Sequence, residues 1–573
     1  MKKVSFYTLG CKVNQYETNA MAQKFKESGY EIVDMNDDIS DICIVNTCTV
    51  TNMSDRKSRH SLRRVKEKNP SAIIAAVGCY AQVAKNDLEN MPEIDIVLGN
   101  EEKANIVQYV EKFIENEKKL IEIEDIATKK EFEDMGQITY TEKTRAFIKV
   151  QDGCNQFCSY CIIPYARGRV RSRKAESIIK EITQIAQNGI KEVVITGIHV
   201  ASYGRDFGNE NGLIELLEKI NEIEGIKRIR LGSLEPKIIT EEFMQRLSKL
   251  EKICHHFHLS LQSGCDATLK RMNRKYTTSE VKEIIERLRR YYDDVMLTTD
   301  IIVGFPGETE EEFETTYQFL KQAKLYKMHV FQYSPRKGTR AAVMPNQIDG
   351  NIKEARSKKL TELSNENQKM YNQQLVGKEV EVLFEDKEVE DGITYFRGHT
   401  QNYVLVKYKT DENLEKLRDT CSNVRDLAIL ELLISTGMRV GEITRLNISD
   451  MNFQERSCIV LGKGNSEREV YFSAKSKMYI EKYLETRTDD NEALFVSLIK
   501  PYNRLGISGI EILIRNLGKE ANINKVHPHK FRRTMATMAI DKGMQIEQVQ
   551  KLLGHIKIDT TMEYAMVNQN NVK

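Results

Sequence analysis

The spacing of apolar residues constrains the fold of this chain most. Over residues 1–100, the short apolar runs VSFYTLG, ISDICIVNTC, SAIIAAVGC and IDIVLGN alternate with charged stretches of helical character. This alternation is typical of a parallel sheet with helices on its faces. Similar units recur to about residue 365, among them EVVITGIHV, HHFHLSLQSG and MLTTDIIVGFPG, with the cadence of a full or partial β/α barrel. The pattern therefore predicts two successive α/β regions.

The predicted secondary structure changes twice in the rest of the chain. Residues 376–410 contain GKEVEVLFE, GITYFRGH and NYVLVKYKT, which indicate short antiparallel strands, and after about residue 413 the chain becomes mainly helical. The charged segment EKFIENEKKLIEIEDIATKKEFEDM lies between the two α/β regions and is predicted as a linker or peripheral hairpin. With 573 residues, the chain is long enough for several domains.

Charge and hydropathy restrict the partners and the location. The formal net charge is only +2, so a nucleic acid would have to be bound by local basic patches. No run of roughly eighteen apolar residues occurs, and the first residues turn polar too soon for a signal peptide. We therefore expect a cytoplasmic protein without membrane contact, whose 11 cysteines do not form a disulfide framework.

Three cysteines, Cys154, Cys158 and Cys161, lie close together in GCNQFCSYC. A 4Fe-4S cluster normally takes one thiolate per iron, so three cysteines leave one iron free to bind a small molecule. The spacing alone also suits a zinc site with a distant fourth ligand, because cysteine-rich turns bind both metals. Either metal centre would lie on a loop that follows a strand of the second α/β region.

Cys11, Cys48 and Cys79 each end an apolar run of the first α/β region. A parallel sheet could bring all three to one edge, which favours a second cluster. The alternative is that they are buried, inert cysteines, which are common in protein cores. We interpret the remaining five cysteines, which lack such a setting, as structural: Cys43, Cys254, Cys265, Cys421 and Cys458.

The region around the first cysteine motif resembles a known family. GCNQFCSYCIIPYARGRVRSR, with TGIHVASYG, LGSLEP, HLSLQSGCDATLKRMNRKYT and DIIVGFPGETEEEF, resembles the methylthiotransferase branch of the radical S-adenosylmethionine enzymes, from residue 1 to about 412. The resemblance implies that Cys154, Cys158 and Cys161 hold a 4Fe-4S cluster that chelates S-adenosylmethionine. Reduction by an external electron donor then cleaves this cofactor to a 5′-deoxyadenosyl radical. The turns around Gly197 and Gln262 are implied to contact cofactor or substrate.

The same resemblance assigns the second cysteine set and the substrate. It implies that Cys11, Cys48 and Cys79 bind an auxiliary 4Fe-4S cluster carrying the sulfur to be inserted. The motif LGCKVNQYET resembles enzymes that act on N6-threonylcarbamoyladenosine at position 37 of the tRNA anticodon stem-loop. The implied product carries a methylthio group at C2 of this base.

Two basic stretches are candidates for contact with tRNA phosphates. One is RKSRHSLRRVKEK at 56–68, and the other is the period-two series Arg167, Arg169, Arg171 and Arg173, which would share one side of a strand. Charged runs are more often simply solvated, and that alternative stays open. Residues 376–410 resemble the small RNA-gripping β-barrel of the family, TRAM-like and without its closing strands, with four candidate contacts: Arg397, His399, Asn402 and Tyr403.

A different resemblance begins at about residue 413. STGMRVGEI, LGKGNSEREV, HPHKFRRTMAT, LLGH and TTMEYA resemble, in order, the catalytic motifs of tyrosine recombinases of the phage integrase type. Attack of a tyrosine hydroxyl on a DNA phosphorus needs a nucleophile, cations and a proton donor. The resemblance assigns Tyr564 as nucleophile, Arg439 and Arg532 as phosphate clamps, Lys463 as acid, His529 and His555 as supporting donors, and Glu442 as a residue that orients an arginine. The helical DNA-clamping domain usual before this point is missing, so we expect weak or absent recombination.

We therefore expect a multidomain α/β protein. Its predicted parts are an N-terminal parallel α/β domain with the auxiliary cluster over 1–135, a radical S-adenosylmethionine (β/α) barrel over 136–366, a truncated TRAM-like β domain over 367–412, and a mainly helical tyrosine recombinase catalytic domain over 413–573. The favoured hypothesis is a tRNA methylthiotransferase whose tail was replaced by a recombinase fragment that contacts DNA. The alternative is a DNA strand-exchange enzyme with a passenger radical S-adenosylmethionine region.

Overall fold

The computed structural model describes residues 2–35, 39–136, 138, 144–390, 393–409, 412–461, 467–523, 525–541 and 544–554. The chain divides into two compact units. The first comprises Met1–Lys387 and Arg397–Lys407, and the second comprises Glu388–Phe396 and Tyr408–Lys573. The predicted multidomain α/β architecture is confirmed. Within the described ranges, no helix is both long enough and apolar enough to cross a membrane.

The first unit begins with a six-stranded parallel sheet in the order β2-β1-β3-β4-β5-β6. Successive residues of its central strand β3 pack on opposite faces: Ile42 and Ile44 join one core, and Cys43 and Val45 join the other. The charged segment predicted as a linker contributes to the edge strand β6. The elements are β1 (Lys3–Thr8), α1 (Lys12–Glu27), β2 (Glu31–Val33), β3 (Ile42–Thr47), α2 (Asn52–Lys68), β4 (Ile73–Gly78), α3 (Cys79–Val83), α4 (Lys85–Glu89), β5 (Ile96–Leu98), α5 (Ile106–Asn116) and β6 (Leu120–Glu122).

The barrel-like region of the first unit contains two four-stranded sheets, in the orders β10-β9-β7-β8 and β11-β12-β13-β14. Ile229, in the first of these sheets, forms a parallel bridge with Ile253, which precedes a strand of the second sheet. One continuous apolar core contains residues of both sheets. Among the described residues no pairing joins β8 to β14, so the barrel is partial. The elements are β7 (Arg145–Asp152), α6 (Ile163–Arg167), β8 (Arg171–Ser172), α7 (Ala175–Gln187), β9 (Glu192–Gly197), α8 (Gly212–Asn221), β10 (Arg228–Leu231), β11 (Ser233–Leu234), α9 (Glu241–Leu247), β12 (His256–Gln262), α10 (Asp266–Arg271), α11 (Thr278–Tyr291), β13 (Met296–Val303), α12 (Glu310–Ala323), β14 (Lys327–Gln332) and α13 (Gly350–Leu375).

The arginine series 167–173 does not present four guanidinium groups to RNA, and that prediction is wrong. Arg167 belongs to α6 rather than to a strand, and Arg167, Arg171 and Arg173 are all buried. Arg171 pairs with Glu101 at 2.6 Å, and Arg173 pairs with Glu181. Only Arg169 is exposed, with its guanidinium 4.5 Å from the ring centroid of Phe157. Most arginines of this series therefore lie at a buried edge, where ion pairs hold them. The charge pattern alone does not distinguish such buried arginines from exposed ones.

The TRAM-like region forms a three-stranded sheet in the order β15-β16-β17, with the elements β15 (Val382–Glu390), β16 (Ile393–Thr400) and β17 (Leu405–Lys409). Its part of the first unit packs at the amino ends of barrel strands. Arg228, the first residue of β10, donates to the carbonyl oxygen of His399 at 3.0 Å, and Arg230 donates to that of Gln401 at 3.1 Å. This part of the first unit therefore lies at the end of the barrel opposite the loops that follow the strands.

Three of the four predicted RNA contacts in this sheet are engaged in that packing. Tyr403 stacks on His399 with ring centroids 4.3 Å apart, and the guanidinium of Arg230 lies 4.6 Å from the Tyr403 ring centroid. Asn402 is buried and donates to the carbonyl oxygen of Asp294 at 3.0 Å. The interpretation of Asn402 and Tyr403 as RNA contacts is therefore wrong, whereas His399, which is partly exposed, stays a prediction. The fourth, Arg397, pairs with Asp386 at 2.7 Å.

The second unit is mainly helical around one apolar core, with a small antiparallel sheet in the order β18-β19-β20. Leu414 and Leu417 of its first helix pack into that core, so α14 belongs to this unit. The elements are α14 (Glu412–Thr420), α15 (Val424–Thr436), α16 (Val440–Ile443), β18 (Met451–Asn452), β19 (Ser457–Leu461), β20 (Glu467–Tyr471), α17 (Ala474–Glu485), α18 (Ile507–Glu520), α19 (Pro528–Asp541) and α20 (Ile546–Leu553).

The burial of α14 predicts that a change in this helix destabilises the second unit. Leu417→Ala removes a side chain that is 3% exposed, and the expected loss in the free energy of unfolding is about 2–5 kcal/mol. Urea-dependent hydrogen exchange of peptides from α15, followed by mass spectrometry, measures this loss. Lys416→Ala, at an exposed position of the same helix, should have little effect. Equal stabilities of the two variants would show that α14 does not belong to the core.

Candidate functional site

The first cysteine set, Cys11, Cys48 and Cys79, lies at one edge of the six-stranded sheet. Cys11 precedes α1 after β1, Cys48 follows β3, and Cys79 begins α3 directly after β4. Because β1, β3 and β4 are neighbours and parallel, their carboxyl ends bring the three thiols to the same place. Burial, with smaller contributions from the nearby Cys79 and Cys11, raises the pKa of Cys48 to about 11. The predicted convergence of these side chains is therefore observed.

Gly10 is required for this arrangement. Its backbone has a φ of +99°, in the region that favours glycine, and a Cβ added there would lie 2.8 Å from Cys48 Sγ. Asn14 closes the same turn, because its Nδ2 donates to the carbonyl oxygens of Leu9 at 2.7 Å and Thr47 at 3.0 Å. Asn14 thus ties the turn that carries Cys11 to the end of β3, directly before Cys48.

The second cysteine set lines a cavity of about 390 Å³ at the carboxyl ends of the barrel strands. Val50 and Thr51 of the first α/β region also line it, so both α/β regions contribute to its wall. Other lining residues lie in successive strands or on the loops that follow them: Cys154, Cys158, Cys161, Ile198, His199, Ser233, Glu235, Gln262, Asp300 and Gln332. The volume is in the range of small-molecule sites.

The second set supplies three thiols to the wall of this cavity. Within the described residues, no group of three or more His, Cys, Asp or Glu side chains is gathered closely enough to hold a metal ion. Burial raises the pKa of Cys154 to about 11 and that of Cys161 to about 12. Metal binding would have to displace the protons of these thiols, as it does in thiolate sites generally.

Of the two residues predicted to contact the cofactor, the structure places one in the cavity. Gln262 lines it and adopts a left-handed backbone with a φ of +72°. Gly197 does not line it, but it precedes the lining residue Ile198, and a Cβ at Gly197 would lie 2.9 Å from Gln151 Oε1. Gly197 therefore permits close packing of β9 on β7, whereas Gln262 is available to a ligand.

Arg274 and Glu235 form the polar wall of the cavity. Sequence patterns did not predict a role for either residue. Arg274 donates from Nη1 to Cys158 Sγ at 3.2 Å and from Nη2 to Glu235 Oε2 at 3.0 Å. Glu235 Oε2 also accepts from His199 Nε2 at 3.3 Å. Burial opposes ionisation of Glu235, but His199 and Arg274 hold the pKa of its carboxyl below the ordinary value. The only sequence signal for Glu235 was the position of LEP after a strand, whereas Arg274 follows the helix α10.

Three of the recombinase residues, Arg439, His529 and Arg532, are described, whereas Lys463, His555 and Tyr564 lie outside the described residues. Arg439 precedes α16 and pairs with Glu442 at 3.0 Å, which agrees with the orienting role predicted for Glu442. Arg532 is buried and donates to the carbonyl oxygen of Gly437 at 2.7 Å. Desolvation and the cations of Arg532 and Arg439 lower the pKa of His529, so these three side chains lie in one neighbourhood.

The contact between Gly10 and Cys48 predicts a specific cost for a methyl group. Gly10→Ala and Gly29→Ala both place alanine in a left-handed backbone, with φ of +99° and +83°, but only Gly29 has open space around its Cβ. We expect Gly10→Ala to lose about 1–3 kcal/mol more in the free energy of unfolding, because the extra methyl displaces Cys48. Urea unfolding of the two variants measures the difference, and equal losses would contradict the packing described.

Comparison with known proteins identifies three matching families. Residues 3–99 match the uncharacterized protein family UPF0004, residues 148–320 match the radical SAM superfamily, and residues 407–571 match the phage integrase family. A crystal structure of XerA recombinase is 33% identical, with a TM-score of 0.26, and covers 29% of this chain. This chain spans 65% of that recombinase.

Two curated relatives have the same name, threonylcarbamoyladenosine tRNA methylthiotransferase MtaB. The protein from Bacillus subtilis (strain 168) is 42% identical over 416 residues, which are 72% of this chain and 92% of that protein. The protein from Aquifex aeolicus (strain VF5) is 40% identical over 415 residues, 72% of this chain and 98% of that protein. The chain therefore belongs to the radical SAM methylthiotransferase family, and a phage integrase domain follows its methylthiotransferase portion.

Proposed function

We propose that the first 412 residues catalyse transfer of a methylthio group to C2 of N6-threonylcarbamoyladenosine in tRNA. The observation that carries this proposal is the presence of both cysteine sets, each gathered at the carboxyl ends of parallel strands within one compact unit. The relatives named for this reaction match the chain over nearly their whole length, which supports the choice of substrate.

Cys154, Cys158 and Cys161 would hold one 4Fe-4S cluster, and Cys11, Cys48 and Cys79 would hold a second. The first cluster, with S-adenosylmethionine bound, would supply the radical chemistry, and the second would carry the sulfur to be inserted. Three thiolates in each set leave one coordination position per cluster for a ligand other than protein. The chain's own task is to bind the substrates, orient them and exclude water.

The wall residues of the cavity suit the orientation of a polar cofactor. Arg274 and Glu235 hold each other at 3.0 Å, and His199 Nδ1 lies 2.6 Å from Ser202 Oγ, so their side chains are fixed before a ligand enters. Gln262 adds an amide without a charge. We propose that these groups, together with the backbone after Gly197, bind the cofactor beside the three cysteines.

The helix α2 is the surface that best suits tRNA. It begins next to Val50 and Thr51, which line the cavity, and its exposed side carries basic residues: Arg56, Lys57, Arg63 and Arg64. Phosphates of a stem-loop whose base enters the cavity would pass beside this helix, where cations favour their binding. Val50 and Phe331 are about half exposed at the cavity, which suits contact with an unstacked base.

Mass spectrometry of tRNA nucleosides tests the proposed reaction. In cells that lack their own enzyme, expression of this chain should yield the 2-methylthio derivative of N6-threonylcarbamoyladenosine. Cys79→Ala and Cys154→Ala should each abolish it, whereas Cys254→Ala, which removes a buried thiol outside both sets, should retain it. Absence of the derivative with the unchanged chain, or its persistence in either cysteine variant, would contradict the proposal.

A second candidate function, strand exchange in DNA, is favoured by the integrase match and by one contact. Glu442 is buried and accepts from Arg468 at 2.8 and 2.7 Å and from Arg439 at 3.0 Å. These hydrogen bonds hold Arg439, the predicted phosphate clamp, in place. The residues before this domain belong to the methylthiotransferase portion, and no helical DNA-clamping domain stands between the two in the sequence.

We expect little recombinase activity because a DNA clamp is missing. Incubation of the full chain with nicked duplex DNA, followed by denaturing electrophoresis, should show at most a faint covalent adduct. Tyr564→Phe should abolish any adduct that forms, since the attacking hydroxyl is removed. Efficient trapping at Tyr564 would overturn this ranking and favour the strand-exchange function.

A further inference from the structure

The guanidinium of Arg167 lies completely buried beside the first cysteine set. Its Nε donates to Cys79 Sγ at 3.1 Å. Its Nη2 donates to Asn14 Oδ1 at 2.8 Å and to Glu17 Oε2 at 3.0 Å, and Nη1 donates to Glu17 Oε1 at 2.8 Å. All three nitrogens therefore have acceptors, and the planar guanidinium can adopt only this orientation.

The charges around Arg167 do not cancel. Lys149 contacts Glu17 at 2.8 Å and Asp152 at 2.6 Å, and Lys103 also pairs with Glu17. These five buried groups comprise three cations and two carboxylates. A third carboxyl, that of Glu133, faces Lys103 and Lys149, but burial raises its pKa to about 7, so near neutral pH it offsets the excess positive charge only in part. Burial opposes ionisation of both carboxyls, but the cations hold the pKa values of Glu17 and Asp152 below their ordinary values. The remaining donor of the guanidinium, Nε, has the sulfur of Cys79 as its acceptor.

Arg167 also contacts the segment that carries the second cysteine set. Its Nη1 donates to Asp152 Oδ2 at 3.0 Å, and the backbone nitrogen of Gly153 donates to Asp152 Oδ1 at 2.8 Å. The backbone nitrogen of Cys154 donates to the carbonyl oxygen of Gly168, directly after Arg167, at 3.0 Å. A short chain of hydrogen bonds thus runs from Cys79 through Arg167 to the residues around Cys154.

We propose that Arg167 is a positioning residue for the cluster held by Cys11, Cys48 and Cys79: it donates a charge-assisted hydrogen bond to the Cys79 thiolate and raises the reduction potential of that cluster. The inference rests on the proposed function, because it requires this set to hold a cluster. Reduction adds a negative charge to a cluster, and a hydrogen-bond donor or cation at a ligand sulfur stabilises the reduced form more than the oxidised form.

The test uses the full chain with Cys154, Cys158 and Cys161 all changed to alanine, so that only the first set can bind a cluster. A redox titration followed by electron paramagnetic resonance gives the potential of this parent protein and of its variants. Arg167→Lys keeps the charge but loses the fixed donor to sulfur, and should weaken reduction at least tenfold in the equilibrium constant, about 59 mV for one electron. Glu17→Gln, which removes a negative charge, should shift the potential in the opposite direction.

Arg173→Lys is the matched control, because Arg173 is equally buried and pairs with Glu181 but contacts no cysteine of either set. Its potential should equal that of the parent protein. An unchanged potential in Arg167→Lys, with about four irons per chain retained, would overturn the inference and leave the proposed function intact. If the Arg167→Lys variant binds no iron, the Glu17→Gln variant provides the test. A reduction potential of Glu17→Gln that does not rise above that of the parent protein would then overturn the inference. A parent protein without iron would overturn the proposed function and this inference together.

Discussion

The buried ion pairs around Arg167 are the interaction on which the first unit depends. Glu17 comes from α1 of the first sheet, whereas Arg167 and Lys149 come from the barrel-like region, and their side chains meet out of water. Removing one partner of such a group leaves an uncompensated buried charge, which typically costs about 3–5 kcal/mol. The network therefore fixes the two α/β regions relative to each other, and with them the two cysteine sets.

The cavity and the packing of the TRAM-like strands lie at opposite ends of the strands in the barrel-like region. The cavity lies at the carboxyl ends, where Cys154 and Glu235 follow their strands and Gln262 is the last residue of β12. The TRAM-like strands instead pack against residues such as Arg228 and Asp294, at the amino ends. The second unit has its own apolar core.

Local pattern predicted the parallel sheets and the convergence of Cys11, Cys48 and Cys79, because both follow from strand periodicity and chain direction. It failed for Arg171, Arg173 and Tyr403, because a basic or aromatic side chain has the same pattern whether it faces solvent or a buried partner. The partners concerned, Glu101, Glu181 and Arg230, are distant in sequence. Arg274 was missed for the same reason: its contact with Cys158 spans 116 residues.

The iron content of the full chain, reconstituted without oxygen, tests the central claim most directly. Two cysteine sets held apart by a buried network predict about eight irons per chain in the unchanged protein, falling to about four when either Cys79 or Cys154 is changed to alanine. About four irons in the unchanged protein, lost completely in one of the two variants and retained in the other, would contradict the account of two clusters.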